Sequence, residues 1–519
     1  MSPPRPGWDD TTLWAAFAAH ASAAPDGIAV VDREGGRQVT NAELWADANA
    51  LAARFEADGL VAGRVISVQL PNRYEAAVVA LAALRLGLVI NTLLPNYRAK
   101  ELDHIFTTAS PGAVVIPAVY RDHDHRSLVD SLRGSLPTDV QVYVVAGDAL
   151  IDEVRDDAAG RAPTAPVPAA GGPSELIFSS GTEATPKGIL HSEQTTNSGV
   201  RALHDFLGLD RETVVWMPSP VGHSTGFNFG LRFALYHGVP LVLQDRWDVD
   251  VAIDLVHGFR ASYTLAATTF LQDLVAELQR RGDRLPELTH FACGGAAVPP
   301  ELVSAAGDRG IGVLRLYGST EALVVSCNRP DLPLDDRRHT DGRPLPGVAV
   351  RTRADDGSLA GPGEPGEIEV QSPQNALGYF DDPERTAATF LDDNWVRSGD
   401  LGVVGPEGSV SIVGRKKEII IRGGLNIAPR EIEEMILGFA EVARCAVVGL
   451  DDPRLGEKAC AFVTLQPGAE LTFDVLVRRL RDGGLASYKL PERLEILDEL
   501  PATASGKIRK HVLRERFSG

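Results

Sequence analysis

Short β-rich runs alternate with helical stretches along the first two thirds of the chain, and this alternation constrains the fold most. Helical stretches at residues 41–58 and 74–86 alternate with short β-rich runs at 65–70 and 114–116. Further β-rich runs, each followed by a helix or turn signal, lie at residues 214–217, 241–244, 263–266, 290–293 and 312–316. Such alternation is typical of α/β folds with parallel strands. The sequence therefore predicts an α/β core.

The pattern changes after residue 341. Gly- and Pro-punctuated β segments follow at residues 366–371 and 401–413, with hairpin glycines at Gly405 and Gly408. The charged run at 415–417 then precedes a small α+β unit. This unit has predicted strands at 418–422, 444–449 and 459–466, and predicted helices from residue 429, at 473–481 and at the basic C-terminus. We place a domain boundary here, giving an N-terminal domain of residues 1–416 and a C-terminal domain of residues 417–519.

Size and charge exclude some classes of protein. A chain of 519 residues exceeds what one core usually organises, and 44% apolar content allows sizeable cores. The net charge of −19 argues against a nucleic-acid-binding protein, which needs a basic face. The N-terminus lacks a signal-peptide pattern, and the most apolar run, residues 76–90, is too short to span a membrane. We therefore expect a cytoplasmic protein without a membrane span.

The cysteines also agree with the expectation of a cytoplasmic protein. They are scattered without the spacing of a metal site, and we interpret them as reduced core thiols. The four positions are Cys293, Cys327, Cys445 and Cys460.

The loop SSGTEATPKG at residues 179–188 is a candidate phosphate site. It fails the Walker pattern, because Pro186 replaces the second glycine and Gly188 the final hydroxyl residue. The loop joins two predicted strands, residues 175–178 and 188–191, and opens no helix. Its glycine N–H groups, hydroxyls and mobile lysine can still form an anion-binding concavity. A plain turn is the alternative, since these residue types suit turns generally.

Five stretches occur in one order along the chain. They are SSGTEATPKG (179–188), YGSTEA (317–322), RSGDLG (397–402), GRKKEIIIRGGLNIAPREIE (414–433) and PATASGKI (501–508). Together they resemble the signature set of the adenylate-forming superfamily, which includes acyl-CoA synthetases, nonribosomal adenylation domains and beetle luciferases.

The resemblance implies both a fold and a reaction. The implied fold is α/β, with a large N-terminal domain of two α/β subdomains plus a small β-barrel-like subdomain, followed by a small mobile α+β C-terminal domain. The implied reaction uses ATP, Mg²⁺ and coenzyme A. A carboxylate attacks the α-phosphate of ATP to give an acyl-adenylate and pyrophosphate, and a thiol then takes the acyl group.

By resemblance, the first two motifs bind the phosphates and the metal. Lys187 contacts phosphate, Thr320 contacts the α-phosphate, and Glu321 ligates Mg²⁺, a cation that takes oxygen ligands. The phosphate loop wraps the β- and γ-phosphates through Ser179, Ser180, Gly181 and Thr182, with Thr182 close to phosphate or metal. A helix-capping Thr/Glu pair is the alternative for Thr320 and Glu321.

Other motif residues are expected to bind adenosine. Tyr317 stacks on adenine, and the Asp400 carboxylate has two oxygens that can accept both ribose hydroxyls. Arg415 reaches ribose or phosphate oxygens. Backbone approach to the base involves Gly294, Gly295 and Ala296, together with Gly318 and Ser319 of the second motif.

The resemblance gives the C-terminal motifs a role that requires motion. Lys507 bridges the acid carboxylate and the α-phosphate during adenylation, so the small domain must close to deliver it. Lys417 lies at the implied hinge. Gly423 and Gly424 belong to the segment that replaces Lys507 for thioester formation and lines the pantetheine tunnel.

The stretch PSPVGHSTGF at residues 218–227 corresponds to the acid pocket. It carries no Asp or Glu, and burying an unpaired ammonium is costly, so we expect an acid without an α-amine. It looks closest to the stretch of cyclohexanecarboxylate-type ligases. We hypothesise that Gly222, with Gly226 and Ala292, opens a wide pocket for a bulky alicyclic, polycyclic or aryl acid, although Gly222 can equally shape a turn. The remaining pocket candidates are His223, Phe227 and Leu323.

Free CoA is the expected acceptor, because no carrier segment or thioesterase follows the last motif. A separate acyl carrier protein, a luciferase-like oxidation and a non-catalytic regulatory relative are the alternatives. One departure from the family pattern stays open: Glu183 puts a carboxylate into the phosphate loop, and we predict that it points away from phosphate, since two anions repel.

Overall fold

The computed structural model describes residues 7–32, 34–146, 162–178, 186–296, 298–503 and 507–517. Residues 179–185, which hold the predicted phosphate-loop residues Ser179, Ser180, Gly181, Thr182 and Glu183, lie outside the described residues.

The largest sheet has nine strands, of which the central six are parallel. Antiparallel strands close both edges. In spatial order the strands are Arg343–Pro344, Leu323–Cys327, Val313–Ser319, His290–Gly294, Tyr263–Ala266, Val215–Met217, Leu241–Leu243, Ile28–Asp32 and Arg37–Thr40.

A second sheet of seven strands is built on the same plan, with five parallel strands and an antiparallel hairpin at one edge. In spatial order its strands are Gly378–Tyr379, Gly188–Ser192, Pro173–Phe178, Val89–Thr92, Val65–Val68, Ala113–Pro117 and Gln141–Val145. The α/β core predicted from the alternation is therefore confirmed.

Helices cover these sheets. Their bounds are Leu13–Ala23, Asn41–Ala57, Tyr74–Arg85, Ala99–Ala109, His125–Ser131, Glu193–Leu207, Ser224–Gly226, Phe233–His237, Val249–Phe259, Thr268–Arg281, Pro300–Asp308, Leu334–His339 and Pro383–Thr389. A π-helix spans Phe227–Arg232, and 3₁₀ turns span Arg133–Ser135 and Asp392–Asn394.

The helix Tyr74–Arg85 explains how the two sheets pack together. All its residues are buried, because the sequence YEAAVVALAALR is apolar on nearly every side. A helix that is apolar on nearly every side has to be surrounded by other parts of the protein. It shares one core with Ile66 of the second sheet and with Leu241 of the first. The two sheets therefore form a single packed body.

Two smaller sheets complete the chain. An antiparallel sheet contains Ala349–Arg353, Pro365–Gln371, Trp395–Val404 and Val410–Arg415. After the 3₁₀ turn Lys416–Glu418, a five-stranded sheet contains Leu425–Ile427, Ile420–Arg422, Gly456–Leu465, Val442–Asp452 and Arg493–Ile496. Its helical elements are Pro429–Leu437, Phe473–Asp482, Ser487–Lys489 and Lys510–Phe517. A two-stranded hairpin joins Val119–Tyr120 to His123–Asp124.

The C-terminal sheet has hydrophobic cores of its own, one of which includes Ile432, Val447 and Leu476. The chain is thus mixed α/β, with a large N-terminal and a small C-terminal domain, as the sequence predicted. The exact boundary at 416/417 and the mobility of the small domain stay predictions. All four cysteines are buried free thiols, as predicted. Within the described ranges, no helix is both long enough and apolar enough to cross a membrane.

Candidate active site

Three cavities adjoin at the carboxyl ends of the central strands of the largest sheet, the usual place for a ligand in an α/β fold. Their volumes are about 380, 660 and 240 Å³. We name them the acid cavity, the phosphate cavity and the adenosine cavity. Gly318 and Lys507 line all three, so the three spaces meet at these two residues.

The phosphate cavity contains a compact polar cluster. Lys187 Nζ lies 2.9 Å from Glu321 Oε1 and 3.0 Å from the Tyr379 hydroxyl, which donates to the same Oε1 at 2.9 Å. Burial raises the pKa of Glu321, but the Lys187 charge together with hydrogen bonds from Lys187 and Tyr379 lowers it overall. Glu321 is therefore a carboxylate anion at neutral pH, next to a cation that can turn to another anion.

The backbone at Thr320 is held by a histidine that the sequence motifs did not indicate. His191 is fully buried on the strand Gly188–Ser192, and its Nε2 lies 2.8 Å from the Thr320 carbonyl oxygen. Because a carbonyl only accepts hydrogen bonds, the ring donates from Nε2. The bond ties the strand after the phosphate loop to the second motif.

The adenosine cavity is lined by Gly295, Ala296 and Tyr317, with Asp400 at its edge. The Tyr317 hydroxyl donates to Asp400 Oδ2 at 2.8 Å, and Arg415 Nε lies 3.0 Å from Asp400 Oδ1. Burial raises the pKa of Asp400, and the Arg415 cation opposes that rise. A carboxylate held by two fixed donors keeps one orientation and can accept further hydrogen bonds.

Lys507 extends into the junction from the C-terminal domain. Its backbone is fixed to Thr503, whose N–H donates to the Lys507 carbonyl at 2.6 Å and whose hydroxyl accepts from the Lys507 N–H at 3.0 Å. The residue remains open to the cleft, yet protein atoms crowd its ammonium. This enclosure, and secondly the Arg415 charge, lowers the pKa of Lys507, while Asp400 and Glu321 oppose the shift.

The acid cavity has mainly apolar walls. They come from loops at Leu94 and Trp247, from helical segments at Phe229 and Phe270, and from a strand at Leu323. His223 lines both this cavity and the phosphate cavity. Burial lowers the pKa of His223 to about 4, so its ring is neutral at neutral pH. Its Nδ1 accepts from the Thr225 N–H at 3.3 Å, which leaves the proton on Nε2.

The structure does not support the hypothesis about Gly222. A Cβ at Gly222 would lie 2.3 Å from the Leu93 carbonyl oxygen, so this glycine allows two backbones to pack closely. Gly226 is similar, because its Cβ would lie 2.2 Å from the Pro220 carbonyl oxygen. Neither residue lines the acid cavity.

Two other pocket candidates also fail. Ala292 is fully buried in the core, and Phe227 is buried away from the acid cavity. The structure therefore keeps His223 and Leu323 as lining residues and replaces the others by residues of loops and helices that are distant in sequence, which no motif marks.

The hairpin of Gly423 and Gly424 lies apart from the three cavities. These glycines form the exposed turn between Ile420–Arg422 and Leu425–Ile427, and both have a left-handed backbone, with φ of 57° and 83°. Their role in thioester formation, and the hinge role of Lys417, stay predictions. In the same structure Lys507 occupies the cleft.

The chain matches known families along most of its length. The AMP-binding enzyme family model matches residues 17–380, and the AMP-binding enzyme C-terminal domain model matches residues 431–507. The chain is 34% identical over 516 residues to the medium-chain fatty-acid–CoA ligase of Escherichia coli K12, covering 98% of this chain and 91% of that one.

It is also 32% identical over 525 residues to 2-hydroxy-7-methoxy-5-methyl-1-naphthoate–CoA ligase of Streptomyces carzinostaticus, covering 98% of this chain and 93% of that one. Among solved structures, ATP-bound MatB from Rhodopseudomonas palustris superposes with a TM-score of 0.87 at 27% identity, over 98% of this chain and 99% of that one. The chain therefore belongs to the AMP-binding, adenylate-forming family of enzymes and is an AMP-forming acyl-CoA synthetase, an acid–thiol ligase.

Proposed function

We propose that this enzyme activates a bulky, mainly apolar carboxylic acid that lacks an α-amine, first to its acyl-adenylate and then to its CoA thioester. The position of Lys507 carries the proposal. Its ammonium lies where the apolar acid cavity meets the polar phosphate cavity. A carboxylate in the first and a triphosphate in the second would meet beside it.

Each of the polar residues then has its own role in adenylation. A carboxylate oxygen attacks the α-phosphorus, the bond to the pyrophosphate oxygen breaks, and pyrophosphate leaves. Lys507 and Thr320 stabilise the charge that develops at the α-phosphate, and Lys187 turns from Glu321 to the leaving phosphates. Asp400 holds the ribose hydroxyls, and Tyr317 packs against adenine.

Glu321 is the proposed protein ligand of Mg²⁺. The donor set fits this ion, which is usually held by one or two carboxylates together with substrate phosphates. No group of three or more His, Cys, Asp or Glu side chains that could by itself hold a metal ion occurs in the part of the chain that the structure describes. When bound, the ion neutralises phosphate charge during the attack.

The acid cavity supports the substrate class. Its volume of about 380 Å³ and its apolar walls suit an aryl, alicyclic or medium-length acyl group. One carboxylate, Asp245, does line it. However, Asp245 Oδ2 accepts from Arg73 at 3.0 Å and Oδ1 from the Tyr120 hydroxyl at 2.9 Å. Asp245 is thus neutralised by a neighbouring cation and is a poor partner for a substrate ammonium.

Thioester formation requires a second arrangement of the site. We infer that the small domain, residues 417–519, turns about Lys417, withdraws Lys507 and brings Gly423 and Gly424 to the cleft, where the CoA thiol displaces AMP from the acyl carbon. Free CoA is the proposed acceptor.

The test is acid-dependent pyrophosphate release from ATP, measured with matched acids. We expect release with 3-phenylpropanoate and cyclohexanecarboxylate, little with acetate, and little with phenylalanine, which adds only the α-amine to 3-phenylpropanoate. CoA should convert the product to a thioester. Preference for phenylalanine would contradict the proposed substrate class. Transfer to a carrier protein only would contradict free CoA as the acceptor. ATP binding without release for any acid would support the non-catalytic alternative.

A further inference from the structure

A buried charge cluster lies behind the wall of the acid cavity and in direct contact with none of the proposed catalytic residues. The side chain of Arg232 is fully buried between two carboxylates, Glu175 and Glu193, which are also buried. Arg232 Nη2 lies 3.5 Å from Glu175 Oε2, and Arg232 Nη1 lies 3.5 Å from Glu193 Oε2. Burial raises the pKa of Glu175 to about 6, and Arg232 opposes the rise.

Such a cluster is costly to bury, because three ionisable groups lose their hydration. Apolar residues of the same volume would often give equal or greater stability. Buried polar networks can instead specify one arrangement of the parts that they join. The hydrogen bonds of this cluster identify the parts of the structure that it joins.

On one side the cluster joins the acid-cavity wall. Asn228 Nδ2 donates to Glu175 Oε1 at 2.8 Å and to Ser224 Oγ at 3.3 Å, and Asn228 Oδ1 accepts from Arg232 Nε at 2.9 Å. Ser224 lines the acid cavity, as does Phe229, the residue after Asn228. One amide therefore links Glu175 to the cavity surface.

The segment that carries Asn228, Phe229 and Arg232 is a π-helix, Phe227–Arg232. A π-turn is rare and usually less favourable than an α-turn, and it is frequent at functional sites. Arg232 is its last residue and Asn228 its second, so the side-chain bond between them spans the turn. The cluster thus stabilises the unusual turn that presents Phe229 to the cavity, and its Asn228 also bonds Ser224 in the preceding helical turn.

On the other side the cluster joins the phosphate cavity. Glu175 lies on the strand Pro173–Phe178, whose last residues, Ile177 and Phe178, line that cavity. Across the hairpin, Glu175 is the register partner of His191, the histidine that holds the Thr320 carbonyl. Glu175 is therefore linked through Asn228 to Ser224 of the acid-cavity wall, and its strand pairs with the strand that carries His191.

We propose that Glu175 is a positioning residue that fixes the wall of the acid cavity relative to the phosphate hairpin, acting through Asn228 and Arg232. The proposal rests on the proposed function, since it assigns the acid to this cavity. Glu175 touches neither substrate. Its effect is expected on the binding of the acid and much less on the binding of ATP.

Glu193 provides a matched control. It is buried and also contacts Arg232, but its Oε2 accepts from the Leu13 N–H at 2.6 Å, at the start of a distant helix. No bond from Glu193 to Asn228 is present among the described residues. Glu193→Gln and Glu175→Gln remove the same charge from the same guanidinium, and only the second variant disturbs the link to the cavity.

The experiment compares KM for the acid, KM for ATP and kcat in pyrophosphate release, using wild type, Glu175→Gln, Glu193→Gln and Asn228→Ala. We expect KM for 3-phenylpropanoate to rise about tenfold in Glu175→Gln and Asn228→Ala, because the loss of buried hydrogen bonds in this network has an effect of about that size. KM for ATP should change less than about twofold, within the range of context effects. Glu193→Gln should lower the Tm and leave KM for the acid at the wild-type value.

Equal rises of KM for the acid in Glu175→Gln and Glu193→Gln would mean a purely structural cluster and would overturn the proposal. So would an unchanged KM in both Glu175→Gln and Asn228→Ala. If Glu175→Gln does not fold, Asn228→Ala alone decides, since it keeps all three charges. Failure of the proposed function is distinct, because wild type would then release no pyrophosphate with these acids.

Discussion

The phosphate cavity and the acid cavity are neighbours built in different ways. The phosphate cavity takes its polar groups from short contiguous motifs, such as Lys187 in the phosphate loop and Glu321 after a central strand. The acid cavity takes its walls from segments that follow strands of both large sheets, with Leu94 after a strand of one sheet and Trp247 and Phe270 after strands of the other. The first cavity is held by ion pairs and hydrogen bonds, and the second mainly by packing.

This difference separates reaction chemistry from substrate choice. Charges must lie within a few ångströms of the reacting phosphate, so few sequences satisfy the phosphate side. Many apolar side chains can form a wall of a given shape, so the acid side leaves a weaker mark on the sequence. Substitutions in the phosphate cavity and substitutions around the acid cavity should therefore impair the enzyme in different ways.

The largest effect is expected on the reaction side, from Lys507→Ala. We expect acid-dependent pyrophosphate release to fall about 10²- to 10³-fold, because a positioned cation is lost where charge develops. Conversion of supplied acyl-adenylate to thioester should remain largely intact. Both half-reactions can be followed separately by pyrophosphate and thioester assays.

Lys489→Ala is the control, because Lys489 belongs to the same domain and pairs with Glu431 away from the cavities. Surface ion pairs contribute little, so it should retain both half-reactions. Loss of both half-reactions in Lys507→Ala would contradict the role proposed for this lysine.

Gly222→Ala probes the packing behind the acid side. Its Cβ would lie 2.3 Å from a backbone oxygen, so we expect destabilisation at the upper end of the range of about 1–3 kcal/mol for overpacking. The measurement is the Tm together with activity on bulky and short acids. Activity per folded molecule should fall equally on both.

Gly258→Ala is the matched control, since a Cβ at this helical glycine meets nothing within 4 Å. It should leave the Tm unchanged or slightly raised, as alanine favours helices. A selective loss of activity on bulky acids in Gly222→Ala would restore the original pocket hypothesis.

The smallest effect is expected from Tyr379→Phe, which removes the hydroxyl shared by Lys187 and Glu321. These two residues keep their direct contact, so we expect KM for ATP to rise only about tenfold, the scale of one hydrogen bond to a charged group. KM for the acid should stay unchanged. Tyr263→Phe is a control, because the Tyr263 hydroxyl has no hydrogen-bond partner in the described ranges. A rise of KM for the acid alone would contradict the division between the two sides.

Sequence reasoning found the fold class and most of the polar candidates. Strand–helix alternation predicted the parallel sheets, because each strand that is buried on both faces is short and apolar. The residues it missed have no local pattern. Tyr379 lies on a two-residue edge strand and His191 within an ordinary strand, and their importance follows only from what faces them. Glu183 lies outside the described residues, and its orientation stays a prediction.

The sequence by itself determined the family and the α/β architecture, and it predicted Lys187, Glu321, Asp400 and Lys507 as site residues, because the expected chemistry requires particular residue types in a fixed order. Only the tertiary structure decided which residues form the acid wall, why Gly222 must be a glycine, and how Glu175 reaches both sides of the site. The physical reason is how far apart in the sequence the interacting residues lie. Motifs record short-range chemistry, whereas cavity shape depends on contacts between elements far apart in the chain.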